Sequence, residues 1–138
     1  MKKILFASMF IFSCFAFAQE VKLKKDAVYV DNKECLKVVS NNSRNFVFTT
    51  LDKQRLFSFD YIITGENREG FAAGYVKVYF FETNEVLTFK NNRFTKKVFI
   101  QNLINDKVLD NCALNIDNIK GFIQRYNEHY EESIIRSN

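Results

Sequence analysis

This chain of 138 residues has no proline and no tryptophan, and it has only four glycines and one histidine, His129. With so few glycines, the sequence contains neither a glycine-rich phosphate-binding loop nor the Gly-x-Ser-x-Gly turn that carries the nucleophile of many hydrolases. His129 belongs to no metal-ligand spacing, and no pattern joins it to a cysteine as a catalytic pair. The sequence therefore predicts no catalytic residue, no cofactor and no metal site.

The first eighteen residues have the layout of a secretory signal peptide. Two lysines follow Met1, residues 4–17 form an apolar run, and the small residues Ala16 and Ala18 precede Gln19. The run is shorter than the about 20 residues that a membrane-spanning helix needs. We expect residues 1–18 to be removed, which leaves residues 19–138 as one mature domain in the periplasm or outside the cell.

A lipid anchor is the alternative fate of this leader. Residues 11–14 end in Cys14 and loosely resemble the lipobox of bacterial lipoproteins, in which the cysteine is acylated. Phe12 is bulky where that motif prefers small residues, and the apolar run continues past Cys14. These two features favour cleavage after Ala18.

The charge of the mature domain is nearly balanced. Removal of Lys2 and Lys3 lowers the count of Lys plus Arg from 20 to 18 against 16 acidic residues, so the net charge falls from +4 to +2. The lysine clusters at residues 22–25 and 96–97 are short, whereas nucleic-acid binding requires a broad basic face. We predict no nucleic-acid partner.

Three successive segments have the pattern of a β-hairpin. Residues 27–39, 46–61 and 75–89 each place two runs of β-branched and aromatic residues around a short polar turn. In the absence of proline, Asp, Asn and Gly would make these turns. Between the second and third hairpins, residues 64–70 form a polar stretch bounded by glycines, which is the candidate for a functional loop.

Two helices are predicted after the hairpins. Thr95 can cap a helix that begins at Lys96 and ends near Lys107, and its apolar positions are Val98, Phe99 and Leu103. Asp117 can cap a second helix that contains Gly121 and has His129 at the edge of its apolar stripe. That stripe consists of Ile119, Phe122, Ile123, Tyr126 and Tyr130.

Strands followed by helices predict an α+β fold: an antiparallel β-meander of about six strands, with two C-terminal helices packed on one face. The alternative is a small β-barrel with a C-terminal helix. The two folds differ in function, because a barrel can enclose an apolar ligand, whereas a helix-covered sheet has a filled core and one free face.

Two cysteines, Cys35 and Cys112, belong to the mature domain. Export permits a disulfide between them, and closing so long a loop would stabilise the fold by roughly 4 kcal/mol. Two small buried hydrophobic side chains are the other interpretation. The sequence leaves both interpretations open.

One strand carries a candidate binding face. Tyr75, Lys77 and Tyr79 alternate with apolar residues, so they share one side of the strand. Aromatic rings beside a polar group can bind sugars or peptides. The competing interpretation is that the rings pack on neighbouring strands while the ammonium group of Lys77 reaches water.

The end of the leader at Phe17-Ala18-Gln19, the segment Val28-Tyr29-Val30-Asp31 and residues 115–122 together resemble small exported proteins of unknown function that are common in Bacteroidota. The resemblance implies an envelope location and assigns no site. We expect a non-catalytic envelope or secreted module that binds a protein, a glycan or a small ligand, with no transmembrane segment in the mature chain. The alternatives are a hydrolase-like enzyme that uses carboxylates and a lipid-anchored, ligand-binding barrel.

Overall fold

The structure, a computed structural model, describes residues 19–66 and 72–131. The described chain begins with β1 (Val21–Leu23), β2 (Ala27–Val30), β3 (Lys33–Ser40), β4 (Asn45–Thr49), β5 (Arg55–Glu66), β6 (Ala72–Phe80) and β7 (Glu85–Lys90). It continues with α1 (Lys96–Asn105), β8 (Leu109–Asp110), β9 (Ala113–Leu114), a 3₁₀ turn (Ile116–Asn118) and α2 (Ile119–Tyr126).

Strands β1 to β7 form one antiparallel meander in which each strand pairs with the next, so β1 and β7 are the edges of the sheet. The sheet curls into a half-barrel, and two helices follow it. The predicted α+β meander with two C-terminal helices is therefore confirmed. The predicted number of strands, about six, is wrong because β1 adds a seventh. With three residues, β1 is too short to show an alternating pattern.

The turns use Asp and Asn in place of proline and glycine. Asp31 and Asn32 join β2 to β3 with φ angles of 51° and 66°, and Asn84 before β7 has a φ of 54°. Asp and Asn adopt this left-handed conformation more readily than other non-glycine residues. The predicted turn at the centre of the first hairpin is confirmed.

The concave side of the sheet is filled by aromatic rings. Phe57 and Phe59 point to this side, and the ring of Phe57 stacks on that of Phe48 with centroids 4.7 Å apart. The largest fully buried side chains include six phenylalanines: Phe48, Phe57, Phe59, Phe80, Phe89 and Phe99. The sheet is thus half-closed, as in the barrel alternative, but its interior holds packed side chains.

Helix α1 begins where the sequence predicts. The Thr95 hydroxyl accepts a hydrogen bond from the Val98 amide at 3.2 Å, which satisfies one of the free N–H groups of the first turn. The helix ends at Asn105, before the predicted Lys107, whose φ of 56° is incompatible with a continuing helix.

The buried face of α1 differs by one position from the predicted face. Phe99, Ile100 and Leu103 are buried, whereas Val98 is 45% exposed. Val98 was wrongly placed in the core because three apolar residues follow one another at 98–100, and helical spacing alone cannot decide which of them faces the sheet.

Helix α2 starts after the 3₁₀ turn, and Asp117 lies inside that turn. The side chain that caps the turn is Asn115, whose Oδ1 accepts from the Asp117 amide at 3.2 Å. Ile119 and Phe122 are buried as predicted. The predicted extension of the apolar stripe to Tyr130 is wrong, since the helix ends at Tyr126.

The predicted polar loop at residues 64–70 is in part a strand. Residues 64–66 belong to β5, and Glu66 pairs with Ala72 of β6. The remaining residues of the predicted loop lie outside the described part of the chain.

Two glycines are expected to respond to alanine in opposite directions. A Cβ at Gly121 in α2 would have nothing within 4 Å, so Gly121→Ala should stabilise the protein by about 0.5–1 kcal/mol through helix propensity. A Cβ at Gly74 would lie 2.0 Å from the backbone oxygen of Ile62, so Gly74→Ala should destabilise it by about 1–3 kcal/mol. Urea unfolding measures both, and a shift of the same sign in the two variants would contradict this packing.

Candidate functional site

Cys35 and Cys112 form a disulfide with their Cα atoms 5.2 Å apart. Cys35 lies in β3, and Cys112 lies in the two-residue turn between β8 and β9. Both turn residues, Asn111 and Cys112, have left-handed φ angles of 49° and 63°. Of the two interpretations that the sequence leaves open, pairing is the one found, and it ties the C-terminal hairpin to the sheet.

Tyr75, Lys77 and Tyr79 share the convex face of the sheet, opposite the face that holds the packed phenylalanines. Tyr75 is only 6% exposed, because its ring stacks on that of Tyr130 with centroids 5.4 Å apart. Lys77 Nζ lies 2.8 Å from a carboxylate oxygen of Glu131. The Tyr79 hydroxyl donates to the side-chain carbonyl of Asn84. All three side chains therefore have partners from this chain.

The segment that covers this face is residues 127–131, which we call the C-terminal strap. Asn127 leaves α2 with extended backbone, residues 127–129 lie along the free edge of β7, and Tyr130 and Glu131 are helical again. The Glu128 amide donates to the Thr88 carbonyl at 2.7 Å, and the Thr88 amide donates to Asn127 Oδ1 at 3.1 Å. Exposed strand edges need such protection. The partners offered by the edge of β7 explain why α2 does not continue to Tyr130.

His129 lies within the strap and not in a helix. It is exposed, its φ is 57°, and its amide donates to Asn127 Oδ1 at 3.1 Å. The expectation of a partly exposed helical histidine at the edge of an apolar stripe is therefore wrong. The physical reason is the same as for Tyr130, namely that the chain leaves the helix to bind the edge of β7.

The carboxyl group of Asp60, on the convex face, has a raised pKa. Asp60 lies directly opposite Lys77 in the pairing of β5 with β6. Burial raises the pKa of Asp60 above 3.8, and a hydrogen bond with Ser58 and the charge of Lys77 oppose that rise without cancelling it. The folded protein therefore keeps the Asp60 proton to a higher pH than the unfolded chain does.

We expect Asp60→Asn to remove one component of the dependence of stability on pH. A raised pKa in the folded state means that the contribution of Asp60 is complete below the unfolded value of 3.8 and is lost as the pH rises through the folded value. The free energy of unfolding of the variant, relative to wild type, should therefore increase with pH across this window. Urea unfolding from acidic to neutral pH measures it, with Asp52→Asn in an exposed turn as the control. A difference that does not change with pH would contradict the prediction.

A second surface lies on the opposite side, where α1 begins. A groove of about 290 Å³ opens there, which we call the lysine-rimmed groove. Its floor is apolar and comes from three strands, with Leu23 at the end of β1, Val38 in β3 and Phe46 in β4. Its rim consists of Lys24, Lys25 and Lys96.

Lys96 is the central cation of the groove. Its Nζ lies 3.8 Å from the centroid of the Phe46 ring and 5.7 Å from that of Tyr61. The two rings meet edge to face, with centroids 6.4 Å apart. Burial lowers the pKa of Lys96, because the charged ammonium group loses water there. The aromatic faces compensate for part of that loss.

The rim lysines of the groove are not paired with acidic side chains of the described residues, although Asp26 directly follows Lys25 in the chain. Lys24, Lys25 and Lys96 form no ion pair with any residue in 19–66 or 72–131. Lys96 and Lys97 also occupy the first turn of α1, which contains no acidic residue. Acidic side chains are favoured at that position, since the helix dipole is positive there. The groove is therefore a local concentration of positive charge.

Sequence reasoning did not find the groove. Residues 22–25 and 96–97 were visible as short lysine clusters, but they lie far apart in the chain and were evaluated separately. The one sequence signal that connects them with a site is the pair of lysines directly after the Thr95 cap, where acidic residues are usual.

Among the residues that the structure describes, no helix has the length and apolar character needed to cross a membrane. Comparisons of the chain with protein-family models, with curated proteins and with solved structures found no match.

Proposed function

We propose that this protein is an exported, non-catalytic binding module of one mature domain, residues 19–138, and that the lysine-rimmed groove is its ligand site. One observation carries the proposal: Lys96 lies half-buried over the Phe46 ring in an open apolar groove, and no described acid neutralises it. Burying a charge without an opposite charge is unfavourable, so such an arrangement is typical of a binding site.

Two features support export. The first is the signal-peptide layout of residues 1–18, and the second is the disulfide between Cys35 and Cys112, a bond that persists in oxidising compartments. Acylation at Cys14 would make the same module a lipid-anchored one. Mass spectrometry of the protein purified from its host distinguishes the two, since cleavage after Ala18 leaves Gln19 as the first residue.

A carboxylate-dependent hydrolase is the second candidate. The observation that favours it is the position of Asp60 and Glu131 around Lys77 on the convex face, together with the raised pKa of Asp60. A carboxyl group that keeps its proton is suited to act as a general acid. The covering Tyr130 ring and the pairing of Lys77 with Glu131 argue against an open catalytic site. Hydrolysis of glycosides or esters that is lost in Asp60→Asn would support the enzyme.

The proposed site is tested by a thermal-shift screen of the oxidised protein against glycans, lipids, peptides, nucleotides and metal ions. A ligand at about 100 times its Kd adds about 2.7 kcal/mol to stability. The matched variants are Lys96→Met, which removes a groove cation, and Lys97→Met, which removes the neighbouring exposed cation outside the groove lining. We expect the shift to decrease in Lys96→Met and to persist in Lys97→Met.

Three results would overturn the groove as the site. They are no shift with any ligand class, a shift that is equal in both methionine variants, and a shift that disappears in Lys77→Met but not in Lys96→Met. The last result would transfer the binding function to the convex face of Tyr75, Lys77 and Tyr79.

A further inference from the structure

We infer that the ligand of the lysine-rimmed groove is a small anionic amphiphile, a medium-chain fatty acid whose carboxylate meets the ammonium groups of the rim, Lys96 above all, and whose tail lies on the apolar floor. This inference rests on the proposed function and names the chemical class of ligand for the same site. Its two parts, the tail and the head, follow from different observations.

The apolar floor of the groove indicates that the ligand has an apolar tail. Leu23, Val38 and Phe46 present aliphatic and aromatic surface from three different strands, and the floor carries no hydroxyl, amide or carboxylate side chain. Such a surface gains free energy by covering apolar area without requiring hydrogen bonds. A sugar or a nucleobase would bring polar groups that this floor cannot satisfy.

The volume of the groove and the packed core behind the groove limit the length of the tail. The groove measures about 290 Å³, which is at the lower limit of about 300 Å³ for small-molecule sites. A longer chain cannot continue into the concave side of the sheet, because Phe48, Phe57 and Phe59 are fully buried there and packed ring against ring. The groove therefore suits a short or medium chain that lies along the surface.

The positive charge of the rim indicates that the ligand has an anionic head group. Lys24, Lys25 and Lys96 line the groove, and none forms an ion pair within residues 19–66 and 72–131. The ammonium group of Lys24 lies over the Tyr29 ring, 4.7 Å from its centroid, so Lys96 and Lys25 are the cations nearest to hand for a ligand. The N-terminus of α1 adds the positive end of its dipole to the same region. A carboxylate at the rim would receive charge-assisted hydrogen bonds from flexible ammonium groups.

The electrostatics of Lys96 agree with an anionic head. Burial disfavours its charged form and lowers its pKa, and no described acid reverses that effect. A bound anion would favour the charged form and raise the pKa of Lys96. The ligand and the lysine would thus stabilise each other, because each supplies the charge that the other lacks.

The lining of the groove suits a carboxylate on a single alkyl chain better than it suits a nucleotide. Tight phosphate recognition commonly uses arginine forks or backbone amides of a glycine-rich loop, and the groove lining contains neither arginine nor glycine.

Titration calorimetry of the oxidised protein with monomeric decanoate tests the inference. Three probes separate tail from head: 1-decanol keeps the tail without the charge, acetate keeps the head without the tail, and decyltrimethylammonium reverses the charge. We expect saturable one-to-one binding of decanoate that weakens at high ionic strength, with no saturable binding of acetate or of the cation. Binding of decanol as tight as that of decanoate would overturn the anionic head.

The matched variants are again Lys96→Met and Lys97→Met. We expect Lys96→Met to weaken decanoate binding by about tenfold or more, and Lys97→Met to leave it within about twofold. Methyl NMR provides a second measurement, in which decanoate should shift the signals of Leu23 and Val38. Lysine side-chain NMR should show the pKa of Lys96 rising when decanoate is bound. A decanoate affinity that is equal in the two variants would overturn the assignment.

The remaining outcomes separate this inference from the proposed function. Binding of another ligand class at the groove, without decanoate, would overturn the fatty acid and retain the binding module. If inorganic phosphate alone gives the same NMR shifts, the groove binds an anion and does not bind an apolar tail, which would overturn the fatty acid. Binding to phosphatidylglycerol vesicles but not to monomeric decanoate would identify a membrane surface as the ligand and overturn the inference. No ligand of any class at the groove would overturn both proposals.

Discussion

Replacing both Cys35 and Cys112 with alanine is expected to lower the free energy of unfolding by about 4 kcal/mol, or roughly 15 °C in Tm for a domain of this size. The bond joins residues that are 77 positions apart, so its removal gives the unfolded chain a large gain in conformational freedom. It also releases the turn between β8 and β9, whose residues Asn111 and Cys112 both adopt left-handed backbone. Thermal unfolding followed by circular dichroism measures the change.

Reductant supplies the matched control for the disulfide. It should lower the Tm of the wild-type protein toward that of the double-alanine variant, and it should leave the Tm of the variant unchanged. A wild-type Tm that is the same with and without reductant would show that the bond does not stabilise the protein.

Phe99→Ala is expected to destabilise the protein by about 3–5 kcal/mol, the range for truncating a fully buried phenylalanine. The Phe99 ring joins α1 to the sheet and to α2. Its centroid lies 5.9 Å from that of Phe57, 5.5 Å from that of Phe59 and 5.7 Å from that of Phe122. Alanine would leave a cavity among these rings that the rigid curled sheet can only partly close. Urea unfolding gives the change in free energy.

The neighbouring residue is the control for Phe99. Val98 is 45% exposed in the same turn of α1, so Val98→Ala should change stability by less than about 0.5 kcal/mol. Equal destabilisation in the two variants would contradict the observed orientation of α1 on the sheet.

Short-range chemistry made much of the fold predictable. The turn at Asp31 and Asn32 follows from the backbone preferences of these residues, and the start of α1 follows from the Thr95 hydroxyl. Strands with clear alternation, such as the one containing Phe57 and Phe59, were also predictable. Each of these features depends on residues that are only a few positions apart.

Two of the wrong predictions share a different cause. β1 is stabilised by pairing with β2, since Val21 lies opposite Val30 and Leu23 opposite Val28, and its own three residues carry no clear signal. Tyr130 leaves the helical stripe because the edge of β7 offers hydrogen-bond partners to the strap. In both cases a contact between distant segments overrides local propensity.

The candidate site was less predictable than the fold. The convex-face residues Tyr75, Lys77 and Tyr79 do share a side of β6, as strand geometry requires, but the covering of Tyr75 and Lys77 by the strap depends on residues more than 50 positions later. The lysine-rimmed groove combines Lys24 with Phe46 and Lys96, which no sequence pattern connects. A site built from several elements has no periodicity along the chain.

The amino-acid sequence was sufficient for two features that arise within a few residues, the hairpin order of the strands and the capped beginning of α1, whereas the leader at residues 1–18 stays a prediction. The sequence was also sufficient for the position of the large sheet before the first helix, because apolar periodicity changes along the chain, whereas the short strands β8 and β9 between the helices were not predicted. The pairing of Cys35 with Cys112, the strap on β7 and the unneutralised Lys96 required the folded chain. Each depends on which distant groups meet, and that is set by the packing of the whole core.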